Sequence, residues 1–441
     1  MTASLPYGYN RAMSAKTSET KNKEELFRLP ILAGILLAGL ILRIVLRLSS
    51  EAYPETIYDW ARLLYRDGFA AFYSHPEAQW PYPPLYLYIL WLMQCLIEAL
   101  HISDPALQQL IIQLPPILCD LGGGILLYSL AMKRWNARRG LLACALYVFN
   151  PAVIHNSSVW GQTDSVFTLI IALMCLALCE EKLLKAFILF GAALLIKQQS
   201  LTFAPLILIA IARGFLKEYK KKDTLIHTSL KEKKPLPFIP RILLQGLAVM
   251  AGMLLLSLPF GLVDMLKQYL SVQSGMNFAS VDAYNFWTLI DRNWAGTDTT
   301  VLHVSCKMWG KLAIVGITLF CFFLAWKRKD KKDYPLLGAL LISFVFCFAT
   351  GMHERYLLSA LLLLLTEWVI RPEKATMLLY FFLSLLQFLN TYLVFEYNLH
   401  GLSLPKEALS RGLSAGLVLC TLFFLIKSAG LIPAAKSFKR S

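Results

Sequence analysis

Apolar runs of about 18 to 22 residues recur along the whole chain, divided by short polar connections, and each run matches the thickness of a bilayer hydrocarbon core. With 441 residues, 57% of them hydrophobic, and a mean hydropathy of +0.55, the chain cannot be an ordinary soluble enzyme. The first 29 residues are polar and carry Arg11, Lys16, Lys21, Lys23 and Arg28. The apolar run behind them starts too late for a signal peptide and lacks a small-residue cleavage site, so it is expected to be an uncleaved first span. Nine cysteines are present, but all except Cys306 lie inside apolar runs, with no metal-spaced CxxC pair and no disulfide framework.

The net charge of +15 is not spread as a nucleic-acid surface would need. It sits in short patches between runs: Lys133 to Arg139, Lys217 to Lys222, Lys231 to Lys234, Lys327 to Lys332, and the tail Lys436 to Arg440. The connections over 49–83 and 263–308 are acidic or neutral and rich in aromatics. By the positive-inside rule the basic patches face the cytoplasm and these two long loops face outward. Spans over 30–48, 108–131, 139–156, 164–180, 183–197, 200–213, 241–262, 309–326, 335–350, 355–370, 375–395 and 411–428 satisfy that rule. The expectation is an all-α polytopic membrane protein of about twelve transmembrane helices, with the run 84–100 re-entrant or interfacial. The organisation is then a basic cytoplasmic tail over 1–29, a transmembrane catalytic module over 30–371, and more variable transmembrane helices over 372–441. The basic, Pro-interrupted segment 214–241 is expected to meet anionic headgroups.

On this topology the polar clusters fall on one face. The first loop holds Glu55, Asp59, Trp60 and the run WPYPPLYLY from Trp80 to Tyr88. Next come His155, Asn156, Trp160, Gln162 and Asp164 in NPAVIHNSSVWGQTDS, and then Lys197, Gln198 and Gln199 in LIKQQS. The long loop with NFASVDAYNFW follows, and last His353, Glu354 and Arg355 in MHERY. Charged groups at membrane depth are costly and usually mark a site, so their convergence on one face outweighs any single motif. Asp120, in LCDLGGG inside a span, reads instead as a tie between helices, with Gly122, Gly123 and Gly124 permitting close approach.

YPPLYLY after an acidic loop, NPAVIHNSSVWGQTDS, LIKQQSLTFAPL and MHERY, in that order, resemble the polytopic GT-C-type glycosyltransferases. Within these the likeness is to bacterial and archaeal proteins related to the second mannosyltransferase of GPI-anchor assembly, from about Arg28 to Arg371. The resemblance implies transfer of a single hexose, mannose foremost, from a polyprenyl-phosphate donor to a lipid or glycan acceptor. The reaction would take place on the outer or lumenal side, and the absence of a retention signal with the moderate length points to a bacterial or archaeal cytoplasmic membrane in preference to an endoplasmic reticulum. It also implies an inverting reaction whose base is a first-loop carboxylate, for which Asp59 and Glu55 both stand.

The leaving phosphate needs cations, and Arg355, with His353 beside it, and Lys197 are expected to supply them. Trp160, Gln162, Asp164, Gln198 and Trp80 offer the amides, carboxylate and ring faces that meet a sugar or acceptor. No P-loop, dinucleotide fingerprint, HExxH or outer-face DxD pair is present, so no metal and no cofactor beyond the donor substrate is expected. The rival readings are a transporter or flippase of lipid-linked sugars and a lipid-linked glycan polymerase or ligase. The first should place charges near the bilayer midplane and show two similar halves, and this sequence shows neither clearly.

Overall fold

The computed structural model describes residues 7–51, 55–76, 78, 82–224, 237–275, 277–400 and 407–431. The helices in chain order are α1 (Tyr7–Leu48), α2 (Glu55–Asp67), α3 (Phe69–Phe72), α4 (Pro84–Ala99), α5 (Pro105–Arg134) and α6 (Ala137–Val148). They continue with α7 (Pro151–Ile154), α8 (Asp164–Cys179), α9 (Leu183–Ile196), α10 (Ala204–Thr224), α11 (Phe238–Ser257) and α12 (Leu262–Gly275). The last six are α13 (Phe286–Leu289), α14 (Cys306–Arg328), α15 (Tyr334–Phe348), α16 (Leu358–Ile370), α17 (Lys374–His400) and α18 (Glu407–Ser428). Four two-residue strands, β1 (Ser280–Val281), β2 (Thr300–Val301), β3 (Val304–Ser305) and β4 (Met352–His353), lie in the connections.

Among the described residues seven helical segments are long and apolar enough to cross a membrane: Arg28–Leu48, Pro105–Arg134, Gln198–Lys220, Phe238–Phe260, Cys306–Arg328, Lys374–His400 and Glu407–Ser428. The runs at α4, α8, α9, α15 and α16 form shorter apolar helices. The chain is thus a polytopic, all-α membrane protein. The expected span 139–156 is not one straight helix: α6 stops at Val148, and Asn150, whose side chain accepts from the Ala152 backbone N–H at 2.9 Å, restarts the chain at Pro151. An Asn cap followed by Pro in the first turn starts a helix afresh and cannot continue one. The same rule acts at Asp104, which accepts from Leu107 N–H at 2.9 Å ahead of Pro105.

The centre of the bundle is α16. Leu358, Leu361, Leu362, Leu363, Leu364 and Leu365 are all buried, leaving no polar face, as a helix surrounded by other helices requires. It packs on α5, α6, α8, α15 and α17. By contrast α11 leaves Leu243, Leu244, Leu247, Met250, Leu254 and Leu255 exposed, a surface suited to lipid tails. The tie expected of Asp120 is present: its Oδ2 pairs with Arg43 Nε of α1 at 3.2 Å, and both side chains are fully buried. Arg43 Nη1 also donates to the Val148 carbonyl at 2.8 Å. A Cβ on Gly123 would lie 2.5 Å from the Tyr147 ring and one on Gly124 2.6 Å from Val148, so glycine is what lets α5 and α6 pack together here.

Candidate functional site

Four helices that stop short share one end of the bundle. α8, α9, α15 and α16 have 16, 14, 15 and 13 residues. At 1.5 Å per residue each covers roughly 20 to 24 Å, against about 30 Å of hydrocarbon. The first residue of α8 is Asp164 and the residue closing α9 is Lys197; the segment between α15 and α16 contains His353, Glu354 and Arg355. The four truncated ends are thus recessed relative to a full span, and irregular backbone is tolerable there because protein encloses it.

Inside the recess the charges are paired. Lys197 Nζ donates to Asp164 Oδ1, and Asp164 sits at a helix N-terminus where the macrodipole favours a carboxylate. Arg355 Nη1 donates to Glu354 Oε1 at 2.5 Å, and Glu354 Oε2 lies 3.8 Å from His353 Nδ1. Arg355 Nε and Asp164 Oδ2 face each other at 3.7 Å, and neither atom completes a hydrogen bond among the described residues. The Lys197 ammonium also lies 4.8 Å from the centre of the Tyr356 ring and 5.9 Å from that of Tyr82, with aromatic faces supplementing the carboxylate. Two cations thus oppose two carboxylates. Burial, reinforced by Arg355 and Lys197, holds the His353 imidazole well below its ordinary pKa, so it is neutral at physiological pH. Two buried groups facing one another with their hydrogen bonds unfilled form a place for a polar ligand atom.

The long connection after α12 clamps this recess. β1 pairs in parallel with β4, Ser280 opposite Met352 and Val281 opposite His353, and Gly351 N–H donates to the Phe278 carbonyl at 2.9 Å. Asp282, held in left-handed backbone at φ 54°, accepts from Asn293 Nδ2 at 3.0 Å and Trp294 Nε1 at 2.8 Å. From α17, Asn390 Nδ2 donates to the Asp282 carbonyl at 2.8 Å and its Oδ1 accepts from Tyr284 N–H. Gln387, one turn earlier on α17, donates to the Glu354 carbonyl at 3.0 Å. Gln199 Nε2 donates to the Tyr356 carbonyl at 2.8 Å. Asp282, Gln387 and Asn390 were not among the candidates from sequence. Asp282 looks there like one more acid of a solvated loop, and the two amides look like isolated polar residues of an apolar helix.

The other expected site residues that the structure describes lie on α2, on the turn before α8 and on the turn after α9. Gln198 opens a 3-10 turn directly after Lys197 and is half-buried. Trp160 is half-buried directly after the π-helical turn His155–Val159, edge-on to Phe395 at 5.7 Å and to His155 at 6.1 Å. Its ring is thus engaged by other rings. Gln162 N–H donates to the Asn156 carbonyl at 2.7 Å, after the left-handed Gly161. Gly161 has φ 77°, where a side chain is strained whatever the space, so this turn favours glycine. Asp59 is exposed on α2, unlike the buried Asp164 and Glu354. Its neighbour Trp60 is buried edge-on to Tyr82 at 5.4 Å, which brings α2 beside the ring that faces Lys197. Glu55 begins α2, but its side chain lies outside the described residues, as does all of Trp80.

Residues 81–230 match the family model described as dolichyl-phosphate-mannose-protein mannosyltransferase. The matched stretch runs through α4 to α10 and includes Trp160, Gln162, Asp164, Lys197 and Gln198. It ends before His353, Glu354 and Arg355 and begins after the first-loop acids. No curated protein sequence matches the chain.

Proposed function

We propose that this protein is a membrane glycosyltransferase of the GT-C type that moves one hexose, mannose foremost, from a polyprenyl-phosphate donor to a lipid or glycan acceptor. The observation that carries the reading is the convergence of Lys197 and Arg355 on Asp164 at one end of the bundle, within a chain whose residues 81–230 match the dolichyl-phosphate-mannose-protein mannosyltransferase family model. The finer topology belongs to the same proposal. The chain crosses twelve times, α4 does not cross, the basic patches face inward, and the recess faces outward in a cytoplasmic membrane. So do the divisions at 29 and 371, although Gln387 and Asn390 make α17 part of the site's support.

In this reaction the acceptor hydroxyl attacks the anomeric carbon while the bond from that carbon to the phosphate oxygen breaks, inverting the centre. The proton leaves to a first-loop carboxylate, Asp59 or Glu55, and the electron pair leaves with the polyprenyl phosphate. A phosphodiester carries one negative charge, whereas the departing monoester approaches two. Cations beside that oxygen therefore bind the transition state more strongly than the ground state. Arg355 is suited to paired hydrogen bonds and Lys197 to a point contact. Asp164 and Glu354 keep both cations desolvated yet balanced before the donor arrives. Neutral His353 can donate a hydrogen bond without repelling either cation. Trp160, Gln162, Gln198 and Trp80 would meet the sugar and acceptor.

The test is transfer of radiolabelled sugar from polyprenyl-phosphate-mannose and polyprenyl-phosphate-glucose by the purified full chain, beside Asp59→Asn and Glu55→Gln. Transfer of one residue that collapses in one variant supports the class and names the base. Transfer of a preassembled glycan, or flux of the donor across vesicles with no transfer, overturns the proposal in favour of a ligase or a flippase.

A further inference from the structure

A cavity with a partly charged lining lies at the far end of the short helices. Leu178 and Leu183 line it, close to the opposite ends of α8 and α9 from Asp164 and Lys197. Fourteen rises along α8 set it roughly 20 Å from the recess. The cavity has a volume of about 270 Å³ and is bounded by α10, α11 and the start of α15. Its charged lining is Arg213, Lys217, Arg241 and Lys331 against Glu181 and Glu218, four cations to two carboxylates.

The pairing inside is incomplete in one direction only. Glu181 is taken by Lys217 Nζ at 2.9 Å, with Lys331 at 3.8 Å, and Glu218 by the Phe238 N–H at 2.9 Å and Arg241 at 3.4 Å. The carboxylates are thus satisfied while cationic capacity remains. Arg213 Nη2 donates to the Ala325 carbonyl at 2.8 Å and lies 3.9 Å from the buried Asp333 carboxylate behind the cavity, but Nη1 is buried and completes no hydrogen bond among the described residues. The lining is also partly apolar, with Leu178, Leu183, Phe238 and Tyr334, and Leu184, Phe215, Leu216, Ile239 and Leu243, within two positions of lining residues on α9, α10 and α11, are exposed. A small hydrophilic anion would gain nothing from those apolar side chains, whereas an anion attached to acyl chains would cover them.

We propose that this cavity binds the phosphodiester headgroup of an anionic phospholipid, with Arg213 and Arg241 on the phosphate and the acyl chains along α10 and α11. The inference is independent of the transferase reading and sharpens the expectation for the two ends of segment 214–241, whose residues 225–236 lie outside the described residues, from a diffuse basic surface to a built site. The closing of five helices on one headgroup makes the lipid a strut between α8–α9, α10–α11 and α15.

The test uses the purified full chain in detergent, titrated with phosphatidylglycerol, phosphatidylcholine or inorganic phosphate. Bound lipid is read by native mass spectrometry and the thermal midpoint is followed. Each cation near a headgroup is worth about fivefold in affinity, so removing two is expected to weaken phosphatidylglycerol binding on the order of 25-fold. That loss is expected in Arg213→Gln with Arg241→Gln. It is also expected in Lys217→Gln with Lys331→Gln, whose side chains are mostly exposed and tolerate change without unfolding the bundle. Lys133→Gln with Arg138→Gln, an equal loss of charge at the α5–α6 turn, should leave binding unchanged. The proposal is overturned by an equal loss in that control, by equal binding of phosphatidylcholine, or by inorganic phosphate displacing the lipid at matched concentration.

Discussion

The Lys197 ammonium and the Asp164 carboxylate form a buried ion pair that joins the last turn of α9 to the first of α8, and Arg355 faces the second oxygen of the same carboxylate at 3.7 Å. One carboxylate thus lies against both cations proposed to meet the phosphate, holding Lys197 directly while Glu354 holds Arg355. Its removal should displace Lys197, and leave Arg355 anchored by Glu354.

A mutant cycle on that pair follows from counting charge. Lys197→Met leaves the recess with one excess carboxylate and Asp164→Leu with one excess cation, while the double substitution restores balance through Arg355 and Glu354. Each single change is expected to destabilise by about 3–5 kcal/mol and the double by less than their sum. Thermal unfolding of the four proteins in one detergent measures this, and simple additivity would falsify the coupling.

Arg355→Lys keeps the charge but loses the fork that reaches Glu354 on one side and Asp164 on the other. The expected result is a fall in kcat of about a hundredfold with a folded protein, since the contact matters most as charge develops on the leaving oxygen. Single-turnover transfer at saturating donor separates this from weak binding. An effect confined to donor KM would place Arg355 in ground-state recognition.

Asp282 is expected to hold the β1–β4 clamp over the recess through Asn293 and Trp294. Asp282→Gly relieves the left-handed backbone but deletes the acceptor, while Asp282→Asn keeps an acceptor oxygen. Faster amide exchange at Gly351 and Val281 in the glycine variant, with little change in the asparagine variant, is the outcome that supports a positioning role. Equal protection in all three proteins would show that the loop is held elsewhere.

His353 gives a pH dependence with a definite sign. Its pKa is lowered in the folded state, so the unfolded chain binds the proton more readily. Stability is fully present above the ordinary histidine value of about 6.5 and is lost as pH falls below it. Thermal midpoints from pH 7.5 down to 5 should decline, and His353→Gln should flatten part of that slope. An unchanged slope would mean that the imidazole is already solvated.

The sequence by itself determined the membrane class, the approximate positions of the helical runs and the residue types that gather at their ends. These follow from local quantities, hydropathy over a window and charge in a connection, which need no knowledge of what lies opposite. Asp120 was legible as a helix tie because a carboxylate inside an apolar run must find a partner, and Arg43 is that partner. Asp164, Lys197 and Arg355 were each legible as candidates, yet the carboxylate was assigned to sugar and the cations to phosphate as if they were separate. Only the tertiary structure decided that they share one recess, because four helices of 13 to 16 residues end together there. It also decided that Asp282, Gln387 and Asn390 support that recess. Which distant elements meet depends on packing around α16, and no window along the chain contains that information.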